Sequence, residues 1–176
     1  INDILDVSVI EAGKLELHEK ELVIPRLMES VIRLVKSRAE FSGVQLINNI
    51  QEPLPGLRAD VRRVKQIFLN LLTNAIKFSP RGKTITLATT NDEDGALAIF
   101  VSDNGIGMSK EEINLAMTPF GRANHAYIRN IEGTGLGLPL CNSLIKAHGG
   151  SLNIQSIPEK GTTITVLFPP GRVIRG

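Results

Sequence analysis

The chain has 176 residues, 42% of them hydrophobic and 22% charged, which suits one globular domain of ordinary size with room for a core. Its formal net charge of +2, spread over dispersed residues with no Trp and a single Tyr, excludes a basic, aromatic-interleaved nucleic-acid surface. No uninterrupted apolar run is long enough to cross a bilayer, and the lone Cys141 excludes an internal disulfide and fits a reducing compartment.

Ile1, Ile4, Leu5, Ser8 and Ala12 recur at near-heptad spacing and predict a short helix ended by Gly13. Such a helix is not stable alone in water, so it needs a partner, and the pattern already under way at Ile1 reads as a piece of something longer. Residues 14–23 alternate and predict a strand. Pro25 opens a helix with an apolar face of Leu27, Met28, Val31, Ile32, Leu34, Val35 and Ala39, ending near Ser42-Gly43. Residues 44–50 read as a strand and Pro53-Leu54-Pro55-Gly56 as a turn. Asp60 is placed to cap a long helix reaching Ser79, whose buried stripe is Val61, Val64, Ile67, Phe68, Leu71, Leu72, Ala75 and Ile76.

After a turn at Ser79-Pro80-Arg81-Gly82, residues 83–90 and 96–102 predict two strands joined around Asp92-Glu93-Asp94-Gly95. Ser109 with Glu112 reads as a capping box for a short helix through Ala116. From Met117 to Gly133 the periodicity dissolves into polar and basic residues, a long connection of the kind that is functional or mobile. Residues 136–148 predict a helix ended by Gly149-Gly150, and residues 151–157 and 162–168 a closing hairpin. Hairpin-linked strands with interspersed helices predict an α+β two-layer sandwich, a mixed and mostly antiparallel sheet covered by helices on one face.

Four places carry candidate chemistry. Asn70, Asn74 and Lys77 step at i, i+4, i+7 on one face of the long helix, where Asn is an unfavourable interior residue. They either border the solvated side or bring amide oxygens and an ammonium onto a metal-bound polyphosphate, and the stretch alone does not choose. Ser102-Asp103-Asn104-Gly105-Ile106-Gly107-Met108 leaves a strand with glycines that let backbone approach a ligand. There Asp103 can accept from an exocyclic amine and repel a carbonyl, selecting adenine over guanine, although a plain Asp-Asn-Gly turn is the simpler reading. Gly133-Thr134-Gly135-Leu136-Gly137-Leu138 feeds a helix N-terminus, an anion site by free N–H groups and dipole, but matches neither a Walker A loop nor a dinucleotide fingerprint. Gly161-Thr162-Thr163 at a hairpin tip offers a hydroxyl able to assist Asp103, although alone it reads simply as a turn. The long connection adds Phe120, at its base, and Arg122, able to reach polyphosphate. Cys141, in an apolar helix, reads as a buried structural thiol; His18, His125 and His148 read as surface residues, His148 at a helix C-terminus where a cation suits the dipole.

The ordered set resembles the N, G1, F, G2 and G3 boxes of sensor histidine kinase ATP-binding domains, of the GHKL superfamily with its Bergerat fold: Asn70–Phe78 in sequence, Asp103-Asn104-Gly105-Ile106-Gly107, Pro119-Phe120, Gly133 to Leu138, and Gly161-Thr162-Thr163. Residues 1–13 resemble the end of the dimerising helical hairpin that precedes that domain, which then occupies residues 14–176. The segment Phe120-Gly121-Arg122-Ala123-Asn124 and Leu138-Pro139-Leu140-Cys141 resemble the PleC/DivJ-type cell-cycle kinases of α-proteobacteria. The resemblance implies ATP and Mg2+ as cofactors, with Asn74 on the metal, Asn70 beside it, Lys77 on phosphate, Asp103 on adenine, Gly105 and Gly107 admitting the base, and the glycine segment around the phosphates below a lid. It implies phosphoryl transfer to a histidine on an absent helix of the parent homodimer, onward to a response-regulator receiver domain, in a cytoplasmic module. None of His18, His125 and His148 matches the acceptor motif. GHKL relatives that hydrolyse ATP resemble one another in having Glu where this chain has Asn70, so hydrolysis is not what the resemblance implies here.

Overall fold

The computed structural model describes residues 2–121 and 135–175. Two sheets are present among them. Strands β2 (Gln45–Asn49), β4 (Thr84–Asn91), β5 (Leu97–Asp103), β7 (Gly161–Phe168) and β6 (Ser151–Ile157) lie side by side in that order. Only β2 and β4 run parallel; the other three pairs are antiparallel. Alternate residues of these strands, among them Ile85, Leu87, Ile99, Val101, Ile164 and Val166, are buried beneath helices α2 (Ile24–Ser42), α3 (Val61–Lys77) and α5 (Gly137–Ala147). This is the expected two-layer sandwich, and it sets the ends of β5 and β7 beside α3 and α5.

The helices form for reasons visible in their sequences. Helix α2 buries Ile24, Leu27, Met28, Val31, Val35 and Ala39 at helical spacing, and Gly43 ends it with φ 68°, its N–H bonding the carbonyls of Ala39 and Glu40. Helix α3 is capped by Asp60, whose carboxylate accepts the Arg63 N–H at 3.2 Å. Its buried residues are those of the predicted stripe except Val61, which is 38% exposed because the first turn is open to solvent. In α4 (Lys110–Ala116) both arms of the Ser109–Glu112 capping box are made.

The second sheet departs from the expectation. Strand β1 is only Glu19–Leu22, and it pairs antiparallel with β3 (Gly56–Asp60), which in turn pairs with β8 (Val173–Ile174). Gly56 belongs to β3 rather than only to a turn. Just two inward residues, Leu57 and Ala59, mark that strand, too short an alternation to register against the neighbouring prolines.

Helix α1 (Asn2–Glu11) rests on the body through Val7 and Ile10, with Ile4, Leu5 and Val9 exposed on its outer side. Asp6 accepts from the Arg63 guanidinium at 3.0 Å and the Gln66 amide at 2.7 Å. Burial raises the Asp6 pKa, but these two bonds outweigh it and hold the carboxyl below its usual range.

His148 is a correction. It is fully buried, not at the surface. Nδ1 bonds the Leu144 carbonyl at 2.8 Å and Nε2 accepts the Asp60 N–H at 3.2 Å, so the ring is neutral with its proton on Nδ1. Burial depresses its pKa, against the opposing pull of the Leu144 carbonyl. A cation there would strip the Asp60 amide of its acceptor.

Candidate functional site

Helices α3 and α5 lie antiparallel, and their register assembles the site. At one end Gly137 faces Asn74: a β-carbon on Gly137 would sit 3.4 Å from the Asn74 Nδ2 and 3.9 Å from its Oδ1. In the middle the Cys141 thiol bonds the Ile67 carbonyl at 3.5 Å, and at the far end His148 meets Asp60. Gly137 therefore leaves the Asn74 amide in contact with the first turn of α5. Asn70, one turn earlier, has its Nδ2 buried without a regular hydrogen-bond partner and lies toward Cys141. Burial pushes that thiol up to about 12, which keeps it protonated and unreactive, the structural role expected of it. Lys77 closes the last turn of α3, half-buried on the same side.

Asp103 ends β5 opposite Thr162 of β7. Its Oδ1 accepts the Gly105 N–H at 2.9 Å. Burial raises its pKa, and the backbone amides of Gly105 and Thr162 recover only part of that cost. A half-desolvated carboxylate with amide support is poised to accept from a ligand amine. The Thr162 hydroxyl is used elsewhere, bonding Ser156 Oγ at 2.7 Å, so Thr162 supports Asp103 by its amide rather than by its side chain.

Ser156 was not legible as a site residue, and it ties this corner together. Its Oγ also bonds the Gly161 carbonyl at 3.0 Å and accepts the Met108 N–H at 2.7 Å. Glu159 N–H bonds the Ile106 carbonyl at 2.6 Å. The β6–β7 hairpin thus clamps the loop from Asp103 to Met108. Gly107, at φ 65°, has the space of a side chain filled by the Ile157 carbonyl, so its hydrogen serves the clamp. At Gly105 the same space is rimmed by oxygen: Asp103 Oδ1, Ser79 Oγ and the Phe78 carbonyl.

The predicted site residues at the ends of the long connection also meet. Phe120, 66% exposed at φ 60°, donates its N–H to the Gly135 carbonyl at 3.2 Å, and Gly135 has φ 73°. Leu136 is fully buried, and Leu138 packs partly against the core. Arg122, Gly133, Thr134 and His125 lie outside the described residues. The described part of the site therefore pairs an amide-bearing helix face and a glycine-led helix start with a half-buried carboxylate at a strand end, both placed by the five-stranded sheet.

The profile of the family described as histidine kinase-, DNA gyrase B- and HSP90-like ATPase matches residues 59–172. The Caulobacter vibrioides "Non-motile and phage-resistance protein" is 41% identical over 172 residues, covering 96% of this chain and 20% of that protein. The "Cell-division control histidine kinase PdhS" of Brucella ovis is 36% identical over 99% of this chain and 18% of its own length. The chain thus spans about a fifth of the length of the curated relatives it matches. Full-length ShkA, solved in complex with AMPPNP, superposes with a TM-score of 0.86 at 26% identity, covering 99% of this chain and 35% of that one. The catalytic domain of histidine kinase ThkA superposes at 0.72 with 21% identity, over 89% of this chain and 97% of that one, a likeness of fold. The chain belongs to the histidine kinase-, DNA gyrase B- and HSP90-like ATPase family, as an ATP-binding domain of the histidine kinase type.

Proposed function

We propose that this domain presents Mg2+-ATP for transfer of the γ-phosphoryl group to a histidine of the parent kinase, and that residues 1–13 are the end of that parent's dimerisation hairpin. The observation that carries the reading is the seating of Asn74 against Gly137, beside the glycine-led start of α5 and on the same side of the fold as Asp103. Asp103 accepts from the adenine amine. Lys77 and the first turn of α5 offer positive charge to the phosphates, with Gly133, Thr134, Gly135 and Arg122 in the adjoining segment. The amide oxygens of Asn74 and Asn70 suit Mg2+, which takes few protein ligands and keeps its waters, and the bound ion would neutralise phosphate charge during transfer. Phosphoryl transfer needs positioning and charge neutralisation more than a nucleophile from this chain.

The onward acceptor would be a response-regulator aspartate, and the parent a homodimer whose kinase module is cytoplasmic. Among the described residues no helix is long and apolar enough to cross a membrane. The reading in which position 70 activates water for hydrolysis has no support, since an amide cannot act as a general base.

Calorimetry tests the site. Asn74→Ala should abolish measurable Mg2+-ATP binding, and Asp103→Asn should weaken ATP about tenfold or more, the scale of a lost charge-assisted hydrogen bond. Unchanged affinity in Asn74→Ala, or equal binding of GTP and ATP by the parent chain, refutes the assignment. Mixing the domain and Mg2+-ATP with a separate dimerisation hairpin should then label a histidine on that hairpin. ATP binding without labelling would mean a nucleotide-sensing module rather than a kinase.

A further inference from the structure

Helix α2 carries more apolar side chains than its packing uses. Ile24, Met28, Val31, Val35 and Ala39 are buried against the body, and Leu27 lies at the edge of that face. A second row runs beside it: Val23, Leu27, Ser30, Leu34, Ser37 and Phe41, in alternating steps of four and three residues. That is the spacing of a helix that packs along another helix. Leu34 is 60% exposed, although the sequence groups it with the apolar face, and Phe41 is 87% exposed; Val23 is exposed with them. Single exposed apolar residues are ordinary, but a row with this period on a helix already seated by another face is not scatter. The small Ser30 and Ser37 leave notches between the larger residues, and Ser30 spends its hydroxyl on the Leu27 carbonyl at 2.7 Å.

The flanks of the row are basic. Arg26 and Arg33 lie along one side and Arg38 along the other, all exposed. Past the end of the helix Arg81 lies across Gly43 and donates to the Phe41 carbonyl at 3.1 Å. Glu40 is the one acid at a flanking position. The two salt bridges among the described residues, Arg63–Asp6 and Arg172–Glu19, use none of these groups. With a net charge of only +2 on the chain, this concentration of guanidinium groups is local. It argues against a second copy as occupant: an antiparallel pair would set Arg33 against Arg33, and a parallel pair Arg33 against Arg38. We propose that the row is a docking surface for an acidic amphipathic helix of a partner protein. The partner's apolar residues fill the notches at Ser30 and Ser37 between Leu34 and Phe41, and its carboxylates meet Arg26, Arg33 and Arg38.

The test titrates this chain into two synthetic three-heptad helical peptides, followed by fluorescence anisotropy and analytical ultracentrifugation. One peptide has Leu at the seam and Glu at the flanks, and the other has Lys in place of every Glu. The Glu peptide should bind one to one, and the Lys peptide about tenfold more weakly or less. Leu34→Gln combined with Phe41→Gln should abolish binding and melt close to the parent, because neither side chain is packed. Arg33→Glu combined with Arg38→Glu should reverse the preference between the peptides. Failure of the Glu peptide to bind, equal binding of both peptides, or binding that survives the Leu34 and Phe41 changes overturns the proposal. Self-association lost in Phe41→Gln would make the occupant a second copy. Attachment to phosphatidylglycerol vesicles through the same residues would make it a lipid surface. Either result overturns the acidic-helix assignment, and none of these outcomes bears on the nucleotide reading.

Discussion

His148 shows how much one buried side chain can decide. Its neutral ring accepts the Asp60 N–H while Asp60 in turn caps α3, so protonation would strike the start of the helix that carries Asn70 and Asn74. Around it stand Asp60, Arg172 and Glu19; the Arg172 guanidinium bonds the His148 carbonyl and pairs with Glu19 at 2.8 Å. The folded pKa lies below the ordinary 6.5, so acid favours the unfolded chain, which binds the proton more readily. The stability from neutral His148 is whole above about pH 6.5 and declines below it, levelling off beneath the folded value, by about 1.4 kcal/mol for each unit separating the two. Thermal melts from pH 7.5 to 5 should show this loss, and His148→Gln, neutral throughout and still an acceptor, should flatten it. Equal slopes for both proteins would show that other groups are responsible. Asp60 and Asp6, held below 3.8, lose their contributions only in a lower, separate window.

At the scale of elements, the caps and periodicities of α2, α3 and α4 could be read from the chain because each signal is local: Gly43, Asp60 and the Ser109–Glu112 pair act within a turn of themselves. Asn70 and Asn74 were legible for the same reason, since helical spacing alone sets them on one face. What could not be read is set by partners distant in sequence. The depth of His148 depends on β3 meeting the end of α5, and Ser156 acquires its role only when the hairpin folds onto residues 103–108. Strand β3 itself needs β1 and β8 as neighbours. Asp60 belongs to both kinds, a local cap that also accepts the His18 N–H at 2.9 Å. Burial raises its pKa, but the amides of His18 and Arg63 more than reverse this. Asp60→Ala should therefore cost more than an ordinary cap, about 2 kcal/mol, measured by urea unfolding. A loss below about 0.5 kcal/mol would mean water replaces both bonds.

For the whole molecule, the question is how α1 is attached. Its inner face is held by one carboxylate bridging Arg63 and Gln66, backed by Val7 and Ile10, while Ile4, Leu5 and Val9 face outward. The Asp6 and Arg63 side chains are 19% and 15% exposed, shielded enough for the pair to count beyond a surface contact. A ten-residue helix has little stability of its own, so this attachment keeps it folded. Asp6→Ala should raise amide hydrogen exchange across residues 2–11 severalfold and leave that of α3 and β5 unchanged. Protection persisting in α1 would place its anchorage in Val7 and Ile10 alone.

The bond between Phe120 and Gly135 has a consequence for how such domains diversify. It brings residues 120 and 135 together, so that the described segments before and after this gap in sequence meet at a single point. A chain segment closed in this way can lengthen or shorten without disturbing the layers beneath it, since doubling a loop's length adds only about 0.6 kcal/mol of closure entropy. The frame of α3, α5 and the five-stranded sheet is thereby closed independently of how many residues the sequence places between positions 120 and 135. Insertion or deletion between positions 120 and 135 would need no compensating change in the core.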